Sequence, residues 1–305
     1  QDETKITFPW SMIDKITPRP DASVKKMLED AGFTDTESIV TSKNTYVAPF
    51  VNAEEAQYLV IENAFPNGRP ALENAGVMFT SRETVEKVER MKVCTCLNPL
   101  HTALAVYGCL LGYTKISDEM KDADLVKLVE IIGYKEGLPV VTDPGILSPK
   151  KFIDEVLQIR VPNPFMPDTP QRIACDTSQK LSIRFGETIK EYMASSELDV
   201  KSLKFIPMVQ AGWCRYLLGV DDELNAFTVS PDPMYEELAG KLAGVKVGES
   251  CDVHAVLSPI LSDAKIFGVN LYEAGLGEYV ESIFAELIAG KGAVRETLKR
   301  HLAEA

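Results

Sequence analysis

The longest uninterrupted apolar run in this 305-residue sequence, Ala103 to Tyr113, is eleven residues. A membrane-spanning helix needs about 20, so no membrane segment is expected. No secretory signal opens the chain, which points to a cytoplasmic protein. There is no G-x-G-x-x-G between a strand and a helix, hence no cradle of the kind that lets backbone approach a dinucleotide pyrophosphate. The nearest glycine pair, Gly290-Lys-Gly292, reads as a turn between two helices. No C-x-x-C occurs. Six scattered cysteines in a chain of this length read as reduced thiols, not a disulfide framework. Cys94, Cys96 and His101 lack the spacing and fourth ligand of a zinc site, so no metal is expected. Cations are in deficit, 32 Lys+Arg against 45 Asp+Glu for a net charge of −13, which repels phosphate backbones and excludes nucleic acid as a first choice of partner.

What remains is globular composition, 45% hydrophobic and 25% charged, in a chain long enough for one large domain or two ordinary ones. The first eighty residues are mixed. Lys5–Phe8 reads as a strand stopped by Pro9, and Asp21 opens a helix that ends at Gly32. Asn44–Phe50, Gln57–Glu62 and Gly76–Phe79 carry the Tyr, Val and Ile that favour strands. From Thr80 the period becomes helical: Thr80-x-x-Glu83 reads as a capping box. Ser148-Pro149 and Thr169-Pro170 each put a capping residue before a proline suited to the first helical position. Further helices are expected around 182–196, 233–244, 275–289 and 292–304. The pattern predicts a mainly α protein, with residues 1–80 a small β-containing segment and 81–305 a helical body.

Three groups of residues carry chemistry. Lys92, Asn98 and His101 lie in the most apolar stretch of the chain, where unpaired polar groups cost several kcal/mol. Asn98 and His101 share a helix face. Lys92, six residues before Asn98, would lie on another in an ideal helix, unless Pro99 marks a kink or a bulge. The plainer alternatives are an N-cap role for Asn98, a satisfied core histidine at 101 and a Lys92 that snorkels to the surface. Arg172, Asp176 and Lys180 fall at i, i+4 and i+8, either as an exposed salt-bridged row or as a cation pair facing a hydroxyl-rich or carboxylate substrate. Finally, Phe8–Pro18 reads as a strand end followed by a turn carrying Asp14, where open sheets hold ligands.

Four blocks in order along residues 8–180 resemble the mannitol dehydrogenase family of long-chain polyol dehydrogenases and reductases, which includes mannitol 2-dehydrogenase, fructuronate reductase and tagaturonate reductase. Phe8-Pro-Trp-Ser-Met-Ile-Asp-Lys-Ile-Thr-Pro18 is similar to F-P-x-S-M-V-D-R-I-T-P. Tyr58-Leu-Val-Ile-Glu-Asn with Gly68-Arg-Pro and Ala75-Gly-Val is similar to W-V-I-E-D…G-R-P…A-G-V. Glu89-Arg-Met-Lys92 with Leu97-Asn-Pro-Leu-His101 is similar to E-x-M-K-x-R-x-L-N-x-x-H. Arg160, Asn163-Pro164 and Arg172-Ile-Ala-Cys-Asp-Thr-Ser-Gln-Lys180 are similar to the family's R-F-x-N-P and R-x-x-x-D-x-S-x-K.

The resemblance implies a helical catalytic domain, like the C-terminal domain of 6-phosphogluconate dehydrogenase, behind a small β-containing remnant of a Rossmann domain. It implies a metal-independent, NAD- or NADP-dependent interconversion of a sugar alcohol or aldonate with the ketose or keto-uronate. Lys92 would be the general base, Asn98 and His101 would hold the reacting oxygen, and Glu89 would relay the proton. Arg172 and Lys180 would bind substrate, and Ile13 and Asp14 would lie beside the nicotinamide. Lys92 to Asn98 is six steps where the family pattern has five, so one residue is inserted among Val93–Leu97. Lys15 and Asn63 replace the family's Arg and Asp. The main cofactor domain is expected to lie outside this chain, which begins at Gln1 and reads as a C-terminal portion, inactive alone and weak in NAD binding. The rival class is a helical small-molecule binding or assembly domain without chemistry of its own.

Overall fold

Helix α3, Asn98–Leu110, is apolar on every side, and eleven of its thirteen residues are buried. A helix of that kind can only be an interior one. Around it a computed structural model, which describes residues 5–13, 15, 20–53, 58–166 and 168–305, arranges the rest of the chain. Before it come α1 (Ala22–Asp30) and α2 (Arg82–Met91). After it come α4 (Ile116–Glu119), α5 (Ala123–Glu130), α6 (Pro149–Glu155), α7 (Pro170–Ile173), α8 (Glu187–Ala194) and α9 (Phe205–Tyr216). The series ends with α10 (Tyr235–Lys241), α11 (Val253–Leu261), α12 (Ala264–Phe267), α13 (Gly277–Leu287) and α14 (Ala293–Ala303). Helix α9, all twelve residues buried, packs on α3, with Tyr107 donating to the Met208 carbonyl at 3.2 Å. The continuous helical stretch Arg82–Leu110 is long and apolar enough to cross a membrane, but 83% of its apolar window is buried inside the protein. It is a core element.

The strands all precede residue 81. β1 (Ser11–Ile13), β4 (Leu59–Glu62) and β5 (Met78–Thr80) form one sheet in the order β1-β4-β5, antiparallel then parallel. β2 (Ile39–Val40) and β3 (Tyr46–Val47) form a separate two-stranded hairpin. Among the described residues no sheet follows, so the molecule is mainly α with a small β segment, as its sequence periodicity predicts.

Local signals set most boundaries. Asp21 caps α1, Ser148 caps α6 and Thr169 caps α7, each accepting from a backbone N–H two or three residues on, and Pro149 and Pro170 sit in the first turns. Two expectations shift. The strand expected at Lys5–Phe8 lies beyond Pro9, because Ser11–Ile13 pair with Ile61–Leu59 while proline has no N–H for a ladder. The cap of α2 is Ser81, whose hydroxyl accepts from the Thr84 N–H at 3.3 Å. Thr80 is held in β5 opposite Glu62, and Glu83 pairs with Lys87 instead of reaching back.

Long-range polar ties lock the helices. The buried Glu136 carboxylate accepts from the N–H groups of Lys204, Phe205 and Ile206 at 2.7, 2.8 and 2.8 Å, capping α9. Arg215, fully buried, donates to the carbonyls of Leu287, Val220 and Asp221. Asp222 accepts from the N–H groups of Val294 and Arg295 at the start of α14.

Glu119 is the counter-example. It is fully buried, and neither carboxylate oxygen has a hydrogen-bond partner among the described residues. It lies against Gly108, where an added Cβ would come within 2.2 Å of its oxygen, so a larger residue there would have to displace the carboxylate. Burial, with Asp122 and Asp168 nearby, pushes its pKa up to about 9. The unfolded chain ionises above the ordinary 4.5 while the folded one stays neutral, so Glu119 removes stability progressively from about pH 4.5 to about 9. Glu119→Gln should therefore match the wild type near pH 4 and become progressively more stable than it as the pH rises to about 8 in urea unfolding. A pH-independent difference would rule out a neutral buried Glu119.

Candidate active site

Between α2 and α3 the helix widens. Lys92–Cys96 form a π turn, and the Leu97 N–H reaches back five residues to the Lys92 carbonyl at 3.1 Å. An i→i+5 turn takes in one residue more than an α turn. This is where the sequence carries one residue more than the family pattern. Leu97 then breaks the run with φ −133° and ψ −60°, and α3 restarts at Asn98. Pro99 falls in the first turn, where its missing N–H costs nothing. Asn98 is not an N-cap: Leu97 holds that position without a side-chain bond.

The consequence is a shared cavity. Lys92, Asn98 and His101, each half-buried, line one side of an open cleft of about 270 Å³ together with Leu97. Arg160, Asp168, Arg172, Ile173, Lys180 and Arg184 complete its lining. Leu97, His101, Arg160 and Asp168 also border a second space of about 30 Å³, roughly the share of one water. Three of the lining residues sit on π turns: Lys92, Arg160 at the end of Val156–Arg160, and Arg184 within Ser182–Gly186. The last turn packs so closely on α12 that a Cβ at Gly186 would lie 2.2 Å from the Phe267 carbonyl oxygen.

Charge in the cleft runs against the charge of the chain. Among the described residues five of its lining side chains are Lys or Arg and one, Asp168, is a carboxylate. Asp168 grips Arg172 through two contacts, Nε–Oδ1 at 2.6 Å and an Nη2–Oδ2 bond at 2.5 Å, and holds that guanidinium charged. Lys180 donates to the Cys175 carbonyl at 2.5 Å, and its pKa is lowered by burial and by Arg184 beside it. Burial pushes Arg184 down to about 10. Its Nη1 donates to the Thr102 hydroxyl at 2.7 Å, which donates in turn to the Asn98 carbonyl at 2.8 Å. Cys94 and Cys96 are buried thiols raised to about 11 and about 12, and among the described residues no three His, Cys, Asp or Glu side chains gather as metal ligands.

Of the residues singled out in the sequence, Lys92, Asn98, His101, Arg172 and Lys180 therefore meet at one cleft. Glu89 does not join them. It is exposed on α2 and is not among the lining residues. Ile13 is 55% exposed on β1, also outside the lining, and Asp14 lies outside the described residues. The expected helical row of Arg172, Asp176 and Lys180 is broken. Helix α7 stops at Ile173, Asp176 has φ 52°, and its N–H is drawn to the Pro231 carbonyl. The carboxylate paired with Arg172 is Asp168, not Asp176. Asp168 and Arg184 were not foreseen, though both continue the four-residue spacing of Arg172 and Lys180.

The cation-lined cleft is framed by helices around one buried core helix. The chain belongs to the mannitol dehydrogenase family: residues 84–283 match the model of the mannitol dehydrogenase C-terminal domain. It is 60% identical over 301 residues to a D-mannonate oxidoreductase of Thermotoga maritima, covering 97% of this chain and 55% of that protein. It is 31% identical to a mannitol dehydrogenase of Saccharomyces cerevisiae, covering 88% and 50%. Its fold matches Pseudomonas fluorescens mannitol 2-dehydrogenase, solved as a ternary complex with NAD and D-mannitol, with a TM-score of 0.75 at 26% identity, over 98% of this chain and 55% of that one. The chain spans about half the length of the relatives it matches.

Proposed function

We propose that this chain is the substrate-binding and proton-transfer domain of an NAD(P)-dependent oxidoreductase that interconverts an aldonate with a keto-uronate, of the mannonate–fructuronate type. The observation that carries the reading is the cleft: Lys92, Asn98 and His101 share it with four further Lys and Arg side chains in a chain of net charge −13. Such a field attracts a carboxylate and has no comparable use for a neutral polyol. The similarity to a D-mannonate oxidoreductase supports the same choice.

A bound nicotinamide would supply the hydride transfer. Ile13, exposed on β1, would give it an apolar contact. The cleft residues work on the substrate. Lys92 takes the proton of the reacting hydroxyl. The Asn98 amide and the His101 ring donate to the oxygen as negative charge develops there, which in other oxyanion sites is worth roughly 2–4 kcal/mol. Arg172, oriented by Asp168, and Lys180 bind the substrate's polar groups.

The test is a nicotinamide-reduction assay of the longest reading frame that contains this chain, with D-mannonate and D-mannitol in parallel. Turnover of mannonate well above mannitol is expected, and turnover of neither removes the reading. In the same assay Arg172→Ala should raise KM for the aldonate about 30-fold and leave kcat within about threefold. Unchanged kinetics would make Arg172 and Asp168 a surface ion pair.

A further inference from the structure

We propose that Arg184 is the residue that recognises the substrate's carboxylate and so sets the preference for a sugar acid over a neutral polyol. The inference rests on the aldonate reading above and goes beyond it by assigning selectivity to one side chain.

Three observations converge on it. Arg184 lines the cleft on the same wall as Lys180, which precedes it by one helical turn. Among the described residues its one hydrogen bond goes to a neutral group, the Thr102 hydroxyl, and no ion pair is formed. None of its nitrogens is a buried orphan, so the N–H groups not bonded to Thr102 open onto the cleft. Arg172 differs: the Nε–Nη2 edge of its guanidinium is already engaged by Asp168, and its side chain is 62% exposed. A mostly desolvated guanidinium with spare donors and no protein carboxylate is a costly arrangement unless an anion completes it. A carboxylate can do so through two parallel N–H···O bonds. Thr102 fixes the orientation, since its hydroxyl bridges Arg184 to the Asn98 carbonyl. The anion site and the end of α3 that carries Asn98 are thereby held in one frame.

The experiment measures KM or inhibition constants for D-mannonate and for D-mannitol with the full reading frame and its Arg184→Gln, Arg184→Lys and Thr102→Val variants. Arg184→Gln should weaken mannonate about 50-fold and mannitol by less than about threefold. Arg184→Lys should recover part of the loss, because the charge returns without the fork. Thr102→Val, which removes the group that orients the guanidinium and keeps the cation, should weaken mannonate more than mannitol, and together with Arg184→Lys it keeps the test decisive if Arg184→Gln does not fold. An equal loss for acid and polyol would mean that Arg184 acts only through Thr102 and Asn98 and would overturn the assignment. No loss would overturn it as well. If the wild type oxidises only neutral polyols, the aldonate reading falls, and the mannonate inhibition constants still decide Arg184.

Discussion

Replacing Lys92 by alanine in the full reading frame should lower kcat about 1,000-fold, with KM for the aldonate changed by less than about tenfold. The size follows from the removal of a positioned base, which contributes roughly 10²–10⁴ in rate. No other lysine can take over: Lys180 is bonded to the Cys175 carbonyl within the cleft lining, and Lys87 is tied to Glu83 on α2. Lys92→Arg should be as inactive as Lys92→Ala, since a guanidinium does not give up its proton in proteins. Added methylamine should restore part of the rate to the alanine variant and none to the arginine one. Near-normal turnover of Lys92→Ala would take Lys92 out of the chemistry altogether. Because Glu89 is exposed and outside the cleft lining, Glu89→Gln should be close to wild type in the same assay.

The largest stability effect is expected at Glu136. Its carboxylate satisfies three N–H groups at the start of α9, a helix in which every residue is buried. Glu136→Ala strands those donors where water reaches them poorly, and each buried unsatisfied donor costs about 1–3 kcal/mol. A loss of about 4 kcal/mol is expected, seen as a fall in the urea midpoint with an unchanged slope. Glu136→Gln keeps one acceptor oxygen and should lose about half as much. A loss below about 1 kcal/mol for the alanine variant would show that water replaces the carboxylate.

Much of the fold was legible because its signals are local. A capping hydroxyl or carboxylate bonds an N–H two or three residues away, and a proline fits a first turn whatever surrounds it. Asp21, Ser148 and Thr169 could therefore be read directly, and the most apolar stretch of the chain became the buried helix α3. The ordered blocks containing Lys92, Asn98, His101, Arg172 and Lys180 singled out the residues that meet at the cleft. The sequence could not show how they meet. The π turns that carry Lys92, Arg160 and Arg184 exist because neighbouring helices reward a wider turn, and an α-helical period has no sign for that reward. Asp176 left the expected row because its N–H is bound by Pro231, 55 residues away in sequence. Asp168, four residues before Arg172, took the place of Asp176 as a local partner, and Arg184 lines the cleft from a π turn that packs against α12. Bonds between near neighbours are written into the order of residues; wide turns and long-range partners are settled by packing, which only the tertiary structure contains.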